Sequence, residues 1–177
     1  MYNKISKSKS FLGMIAITAL VGTATISCTQ QGSKMQSLRD SAMQSLSKGD
    51  YKSSIDSLDK ALKADMEKNG EESAEVAQDL YLLGKVNMRQ GNIDEAEKQL
   101  EQSIEIKQKL LKPGMLDLAA SLNDLGATLA DKGELEEAEQ MIRQALSVRE
   151  KNLDPGALEV ADSKNNLGRF YVMAGFY

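Results

Sequence analysis

Two stretches of the chain, residues 83–97 (LGKVNMRQGNIDEAE) and residues 125–139 (LGATLADKGELEEAE), share one pattern at a distance of 42 residues. In each, a Leu-Gly pair is followed by a second glycine and then by alanine between acidic residues. The same interval runs through the rest of the chain. Two series of equivalent positions are Gly49, Gly91, Gly133 and Gly175, and Ala42, Gly84, Gly126 and Gly168. A fixed period of this length is typical of repeat proteins, in which neighbouring units stack to bury a shared core.

Each unit predicts two amphipathic helices, because apolar residues recur at helical spacing, as at Val76, Leu80 and Leu83. The glycine that ends each first helix predicts a left-handed cap. Asn92 with Glu95 three residues on predicts a capping box for the next helix. Small residues such as Gly84, Ala96, Gly126 and Ala138 are expected where two helices approach closely. The runs Lys112-Pro113-Gly114 and Asp154-Pro155-Gly156 are expected to break the chain between units.

These motifs resemble the tetratricopeptide repeat. The 42-residue period, together with LAASLNDLG at 118–126 and GELEEAE at 133–139, is similar to the repeats of kinesin light chains. The resemblance covers about residues 35–177 and implies an all-α fold, a tetratricopeptide-like superhelix of antiparallel helix pairs with about three and a half repeats. The expected units are about 35–70, 71–112, 113–154 and an incomplete 155–177. The His-Pro pair common in the inter-repeat loops of that family is absent, since the chain has no histidine.

The composition argues against catalysis and against nucleic-acid binding. The chain has 177 residues, a formal net charge of −4, no histidine and one cysteine, and its Lys and Arg residues are spread among Asp and Glu. A basic stripe that would bind phosphates is therefore missing, as are most side chains that bind zinc or act as nucleophiles. Neighbouring acidic pairs such as Glu136 and Glu137 point about 100° apart on a helix, so neither member can share a site with the other. We expect no enzyme activity, no metal and no cofactor.

The N-terminal residues predict a targeting signal. Lys4, Lys7 and Lys9 precede an uncharged, mostly apolar stretch at 11–26, the arrangement of a secretory signal peptide over residues 1–27. Cys28 follows a small residue, which resembles the lipobox of bacterial lipoproteins. That resemblance implies a lipidated Cys28, a flexible tether over 28–34 and a bacterial cell-envelope protein on the periplasmic side of the inner or outer membrane. An incidental cysteine in an ordinary signal peptide or membrane anchor is the alternative.

The family resemblance also implies a groove for a protein or peptide ligand on the wall formed by the first helices. Asn123 and Asn165 resemble the groove asparagines of kinesin-light-chain repeats, whose amides bond a peptide backbone. Lys85, Arg89 and Arg169 favour an acidic or C-terminal carboxylate ligand, unless they are solvated surface charges. The candidate groove residues are Arg39, Tyr81, Lys85, Arg89, Asn123, Asn165 and Arg169, with Met43, Met88, Ala127 and Met173 as further contacts or packing residues.

The predicted function is a membrane-anchored adaptor that binds another protein. A structural spacer or oligomerisation module without a peptide ligand is the alternative. In the fourth unit, the predicted first helix carries Phe170, Tyr171 and Val172 but is not followed by a second helix in this sequence. The sequence is therefore either a truncated product or one that leaves an apolar patch for a homo-oligomer or another partner.

Overall fold

The computed structural model describes residues 32–110 and 116–175, and within these segments it contains seven helices and no strands. The all-α prediction is confirmed: three consecutive helix pairs are followed by a single seventh helix. In chain order the helices are α1 at 32–47, α2 at Tyr51–Asn69, α3 at Ala74–Gln90, α4 at Ile93–Leu110, α5 at Leu116–Lys132, α6 at Leu135–Asn152 and α7 at Leu158–Met173.

The predicted signal peptide, Cys28 and the break at 112–114 lie outside the described residues. The expected tether overlaps helix α1, which already begins at residue 32. The break at 154–156 is confirmed, since it separates the end of α6 from the start of α7. In the part of the chain that is described, none of the helices combines the length and apolar character needed to cross a membrane.

Glycines in the left-handed region end the first helix of each unit, as predicted. Gly49, Gly91, Gly133 and Gly175 have φ angles of 75°, 87°, 86° and 76°, a conformation that costs little without a Cβ. At the end of α3 the Asn92 N–H returns to the Asn87 carbonyl oxygen at 2.9 Å. The predicted capping box is therefore wrong, because the N–H that Glu95 would accept is already used. The Glu95 carboxylate instead accepts from Gln99 Nε2 at 3.1 Å.

Consecutive helices pack against each other from α2 to α7, and the first helices α3, α5 and α7 also contact one another in that order. The close approach predicted at the small residues is confirmed. A Cβ built on Gly84 would lie 2.8 Å from Leu100 Cγ, and one on Gly126 would lie 2.6 Å from Ile142 Cγ1. At the equivalent Gly168 nothing lies within 4 Å. The glycines of the second and third units are therefore required by helix packing, whereas Gly168 faces open space.

The core repeats with the same period. Leu58, Leu100 and Ile142 occupy one position of the second helices and are at most 3% exposed, which contributes about 1.5–3 kcal/mol per side chain. Buried hydroxyls in this core have backbone partners: Ser54 donates to the Ala42 carbonyl oxygen and Ser103 to that of Ala77, at 2.9 and 2.7 Å. Among the described side chains, no buried nitrogen or oxygen lacks a hydrogen-bond partner.

Candidate functional site

Arg39, the first of the predicted groove residues, is held in a buried ion cluster between helices. Its Nε lies 2.6 Å from Asp79 Oδ1 and its Nη2 lies 2.5 Å from Asp65 Oδ2. Asn69 Nδ2 donates to the other oxygen of Asp65 at 3.0 Å. Burial raises the pKa of Asp79 to about 6, against the opposing effect of Arg39. The Arg39 side chain is only 12% exposed, so its guanidinium stabilises the packing of α1, α2 and α3 instead of being presented to a ligand.

Tyr81, which is equivalent to Arg39, belongs to a second buried cluster. Its ring carries Lys107 Nζ at 4.6 Å from the centroid and Lys85 Nζ at 5.3 Å. Lys107 also donates to Ser121 Oγ at 2.8 Å and to the Asp117 carbonyl oxygen at 3.3 Å. Burial lowers the pKa of Lys107 and raises that of Tyr81. The tyrosine therefore packs between the second and third units, and the face of its ring contacts the ammonium groups of Lys85 and Lys107.

The third cluster repeats this arrangement with other side chains. Arg149 Nη1 donates to Ser163 Oγ at 2.5 Å and to the Glu159 carbonyl oxygen at 3.2 Å. Asn123 accepts from Asn166 Nδ2 at 2.9 Å. These equivalent positions supply polar contacts at each interface between units, and we call each set of three an inter-repeat triad; in the third set Asn123 contacts Asn166, while Arg149 contacts Ser163. The three sets are Arg39, Asp65 and Asp79, then Tyr81, Lys107 and Ser121, then Asn123, Arg149 and Ser163.

Two open pockets lie on the first helices, beside these triads. The first, of about 380 Å³, is lined by Lys85, Met88, Arg89 and Asp124, between α3 and α5. We call it the charged pocket. The second, of about 210 Å³, lies between α5 and α7, and we call it the apolar pocket. It is lined by Asn123, Ala127, Ala130, Asp131, Ile142, Asn166, Arg169, Phe170 and Met173.

The predicted groove residues therefore fall into two groups. Lys85, Arg89, Asn123 and Arg169 line the pockets, as do Met88, Ala127 and Met173. Arg39 and Tyr81 are committed to the triads, and Asn165 is exposed but lines neither pocket.

Three polar pocket residues were missed by the sequence prediction: Asp124, Asp131 and Asn166. Asn166 stands three residues before Arg169 and Asn165 stands four before it, so helical spacing alone admits both. The 42-residue period favours Asn165, which is equivalent to Asn123, but the structure places Asn166 in the pocket lining. The two aspartates make the groove less positive than Lys85, Arg89 and Arg169 alone imply.

A third pocket, of about 300 Å³, lies away from this surface, among α2, α3 and α4. Its floor includes Val76, and its rim carries Lys109, which pairs with Glu72 at 2.8 Å and with Glu105 at 2.9 Å. The cation of this rim is therefore neutralised within the protein. In the described segments, no group of three acidic or cysteine side chains is placed to hold a metal ion.

Comparisons with known proteins agree with this architecture. Residues 35–109 and 118–156 each match a tetratricopeptide repeat family model. A search of curated proteins finds no significant match.

Several solved structures are similar. BtubC (BKLC) from P. vanneervenii is 25% identical with a TM-score of 0.68, over 76% of this chain and 54% of that one. A putative kinesin light chain from Podosopora anserina with nearly identical TPR-like repeats is 21% identical with a TM-score of 0.75, over 81% and 68% of the two chains. The first TPR of Spaghetti (RPAP3), bound to the HSP90 peptide SRMEEVD, is 16% identical with a TM-score of 0.58, over 81% and 94%. This chain spans about half the length of BtubC.

The periodic glycines, the stacked helix pairs and the two family matches lead to one conclusion: the chain belongs to the tetratricopeptide repeat family and has the superhelical fold of kinesin-light-chain-like repeats.

Proposed function

We propose that this protein is an adaptor that binds an extended, acidic segment of another protein along its first helices. The observation that carries the proposal is the state of three cations. Lys85, Arg89 and Arg169 line the two pockets, and none of them forms an ion pair with another described residue. Lys109 and Lys132, which lie outside both pockets, are by contrast paired with glutamates. Cations left unpaired in a concave surface attract anionic partners.

Support also comes from a protein of the same fold. The first TPR of Spaghetti is bound to the HSP90 peptide SRMEEVD, which contains three acidic residues. Tetratricopeptide repeats bind proteins or peptides, and a similar ligand class fits the cations described above. The amides of Asn123 and Asn166, joined by a hydrogen bond of 2.9 Å, can both donate and accept, and so suit a peptide backbone.

A peptide-display experiment tests the proposal. A random library of extended peptides is selected on the full chain, and bound peptides are expected to be enriched in Asp and Glu. The triple variant Lys85→Glu, Arg89→Glu, Arg169→Glu is expected to lose this selection. The matched control replaces Lys60, Lys63 and Lys98, three exposed lysines of α2 and α4 outside both pockets, by Glu. Equal selection by both variants, or no enrichment on the unaltered chain, would contradict groove binding.

The adaptor acts at a membrane through a lipid on Cys28. Support comes from the sequence, in which a positive segment and an apolar stretch at 11–26 precede this single cysteine. Two acyl chains anchor a protein stably, at about 0.8 kcal/mol per buried methylene. In a bacterial host the intact mass should correspond to a chain that starts at Cys28 and carries acyl groups. Retained residues 1–27, or a free thiol, would refute the anchor, and Cys28→Ala is expected to abolish the added mass.

A second function, self-association through α7, is favoured by its uncovered surface. Leu158 and Val172 are 72% and 62% exposed, and nothing lies within 4 Å of a Cβ built on Gly168. Large exposed apolar side chains of this kind mark contact surfaces. Sedimentation of the full chain across protein concentrations, compared with the variant Leu158→Glu, Val172→Glu, separates the two functions. A concentration-dependent dimer that the variant abolishes supports this second function.

A further inference from the structure

The apolar pocket exists because α5 carries small residues where α3 carries long ones. Ala127 and Ala130 are equivalent to Lys85 and Met88, 42 residues earlier. The space that the missing side chains leave reaches the core, since Ile142 and Phe170 line the pocket and are each 3% exposed. The floor of the pocket is therefore apolar.

The size and rim of this pocket define what fits it. Its volume of about 210 Å³ is below the range of about 300–1,000 Å³ typical of drug-sized ligands, and it suits a single side chain. Asp131 and Arg169 both line the pocket and oppose each other in charge, and the apolar floor of Ile142 and Phe170 disfavours any charged side chain. The rim amides of Asn123 and Asn166 are available to the backbone of a bound peptide. The pocket therefore selects an uncharged aliphatic side chain.

The charged pocket stands one helix away, across α5. Neighbouring packed helices have axes about 8–10 Å apart. A peptide in the polyproline II conformation rises about 3.1 Å per residue with about three residues per turn. Side chains three positions apart then point the same way at a separation of about 9 Å. In a β-strand, by contrast, residues three apart point to opposite faces.

Resting on the proposed function, we infer that the ligand of this groove carries an acidic residue and an aliphatic residue three positions apart. The acidic side chain lies against Lys85 and Arg89, and the aliphatic side chain enters the apolar pocket over Ala127 and Ile142. The charged pocket attracts the acidic side chain, and the apolar pocket fixes the position of the peptide along the groove. Acidity alone is then insufficient for tight binding.

The test uses a defined set of peptides with both ends blocked, in a Ser/Thr background. One Asp and one Leu are separated by two, three or four positions, in both chain orders, and affinities for the full chain are measured by fluorescence anisotropy. A separation of three, in one order, is expected to bind best. Replacing its Leu by Gly should weaken binding about 10- to 100-fold, the range for burying one aliphatic side chain.

Variants of the protein locate the contact. Ala127→Leu fills the apolar pocket and should weaken the Leu peptide at least about tenfold, while leaving the Gly peptide unchanged. Ala161→Leu is the matched control, because Ala161 is exposed on α7 and lines neither pocket. Melting temperatures of both variants establish that they are folded. Lys85→Glu with Arg89→Glu should weaken both peptides.

The outcomes separate the two levels of the proposal. Peptides that bind regardless of spacing, or an Ala127→Leu variant that affects Leu and Gly peptides equally, would overturn the aliphatic subsite and leave acidic groove binding intact. No binding by any peptide of the set, together with an empty display selection, would overturn the adaptor function itself.

Discussion

At the scale of single residues, the Arg39 triad sets two buried carboxylates against one guanidinium. Asp65 and Asp79 are 2% and 0% exposed, and the cluster has a net charge of −1 when both are ionised. Burying charge without full compensation is costly. Burial disfavours the ionised form of Asp79 and the charge of Asp65 adds to this effect, so that the pKa of Asp79 rises to about 6 despite the opposing effect of Arg39.

The triad therefore predicts a pH-dependent contribution to stability. Because the pKa of Asp79 rises from 3.8 in the unfolded chain to about 6, folding takes up a proton between these values. The contribution is complete below pH 3.8 and is lost as the pH rises through about 6. Asp79→Asn lacks it. Relative to the unaltered chain, the unfolding free energy of this variant should increase between pH 4 and pH 7, by at most about 3 kcal/mol.

Urea unfolding at several pH values checks this prediction. The control is Asp56→Asn, which removes an exposed carboxylate of α2. For each variant, the difference in unfolding free energy from the unaltered chain is followed as a function of pH. If this difference changes with pH in the same way for Asp79→Asn and Asp56→Asn, Asp79 does not titrate in this range.

The triads also show what single residues of the sequence can reveal. The 42-residue period places Arg39, Tyr81 and Asn123 at one position of the first helices, and the structure keeps that equivalence. It does not reveal which partners each side chain meets, since those come from helices 26 and 40 residues away in the case of Arg39. Arg89, which stays exposed in the groove, forms no ion pair with another described residue.

At the scale of helices, equivalent glycines are expected to respond oppositely to the same substitution. Gly126→Ala places a Cβ 2.6 Å from Ile142 Cγ1 and 3.0 Å from the Ala138 carbonyl oxygen, and should destabilise the protein by about 1–3 kcal/mol through overpacking. Gly168→Ala meets nothing within 4 Å and should stabilise α7 by up to about 1 kcal/mol. Thermal unfolding of the two variants checks the signs. A destabilising Gly168→Ala would indicate that another surface covers α7.

Helix positions were predictable because glycine conformation and apolar spacing are local properties. Gly91 ends α3 in the left-handed conformation at the residue that the period indicates. The start of α1 at residue 32 was not predicted, since Gly32 and Ser33 look like tether. The capping box at Asn92 failed for a related reason: its N–H is taken by Asn87 in the preceding helix, a choice that depends on how the turn closes.

At the scale of the whole molecule, stability and binding are expected to be separable along the array. Each helix contacts mainly its neighbours in the chain, so a repeat protein transmits a local defect poorly to distant units. The Arg39 triad joins α1, α2 and α3, whereas the apolar pocket lies between α5 and α7. A defect in the first interface should leave the pocket intact.

Arg39→Met tests this separation, because it leaves Asp65 and Asp79 buried without their cation. Removing one partner of a buried ion pair costs about 3–5 kcal/mol. Hydrogen exchange at neutral pH should accelerate in α2 and α3 far more than in α6, and the affinity for the best-binding peptide with Asp and Leu should change less than about twofold. Arg89→Met is the reciprocal control: the side chain is exposed and forms no ion pair with another described residue, so its loss should weaken peptide binding and leave hydrogen exchange unchanged. If Arg39→Met lost as much peptide affinity as Arg89→Met, Arg39 would be a ligand-binding residue of the groove after all. If hydrogen exchange accelerated equally in all helices, the array would unfold as one unit.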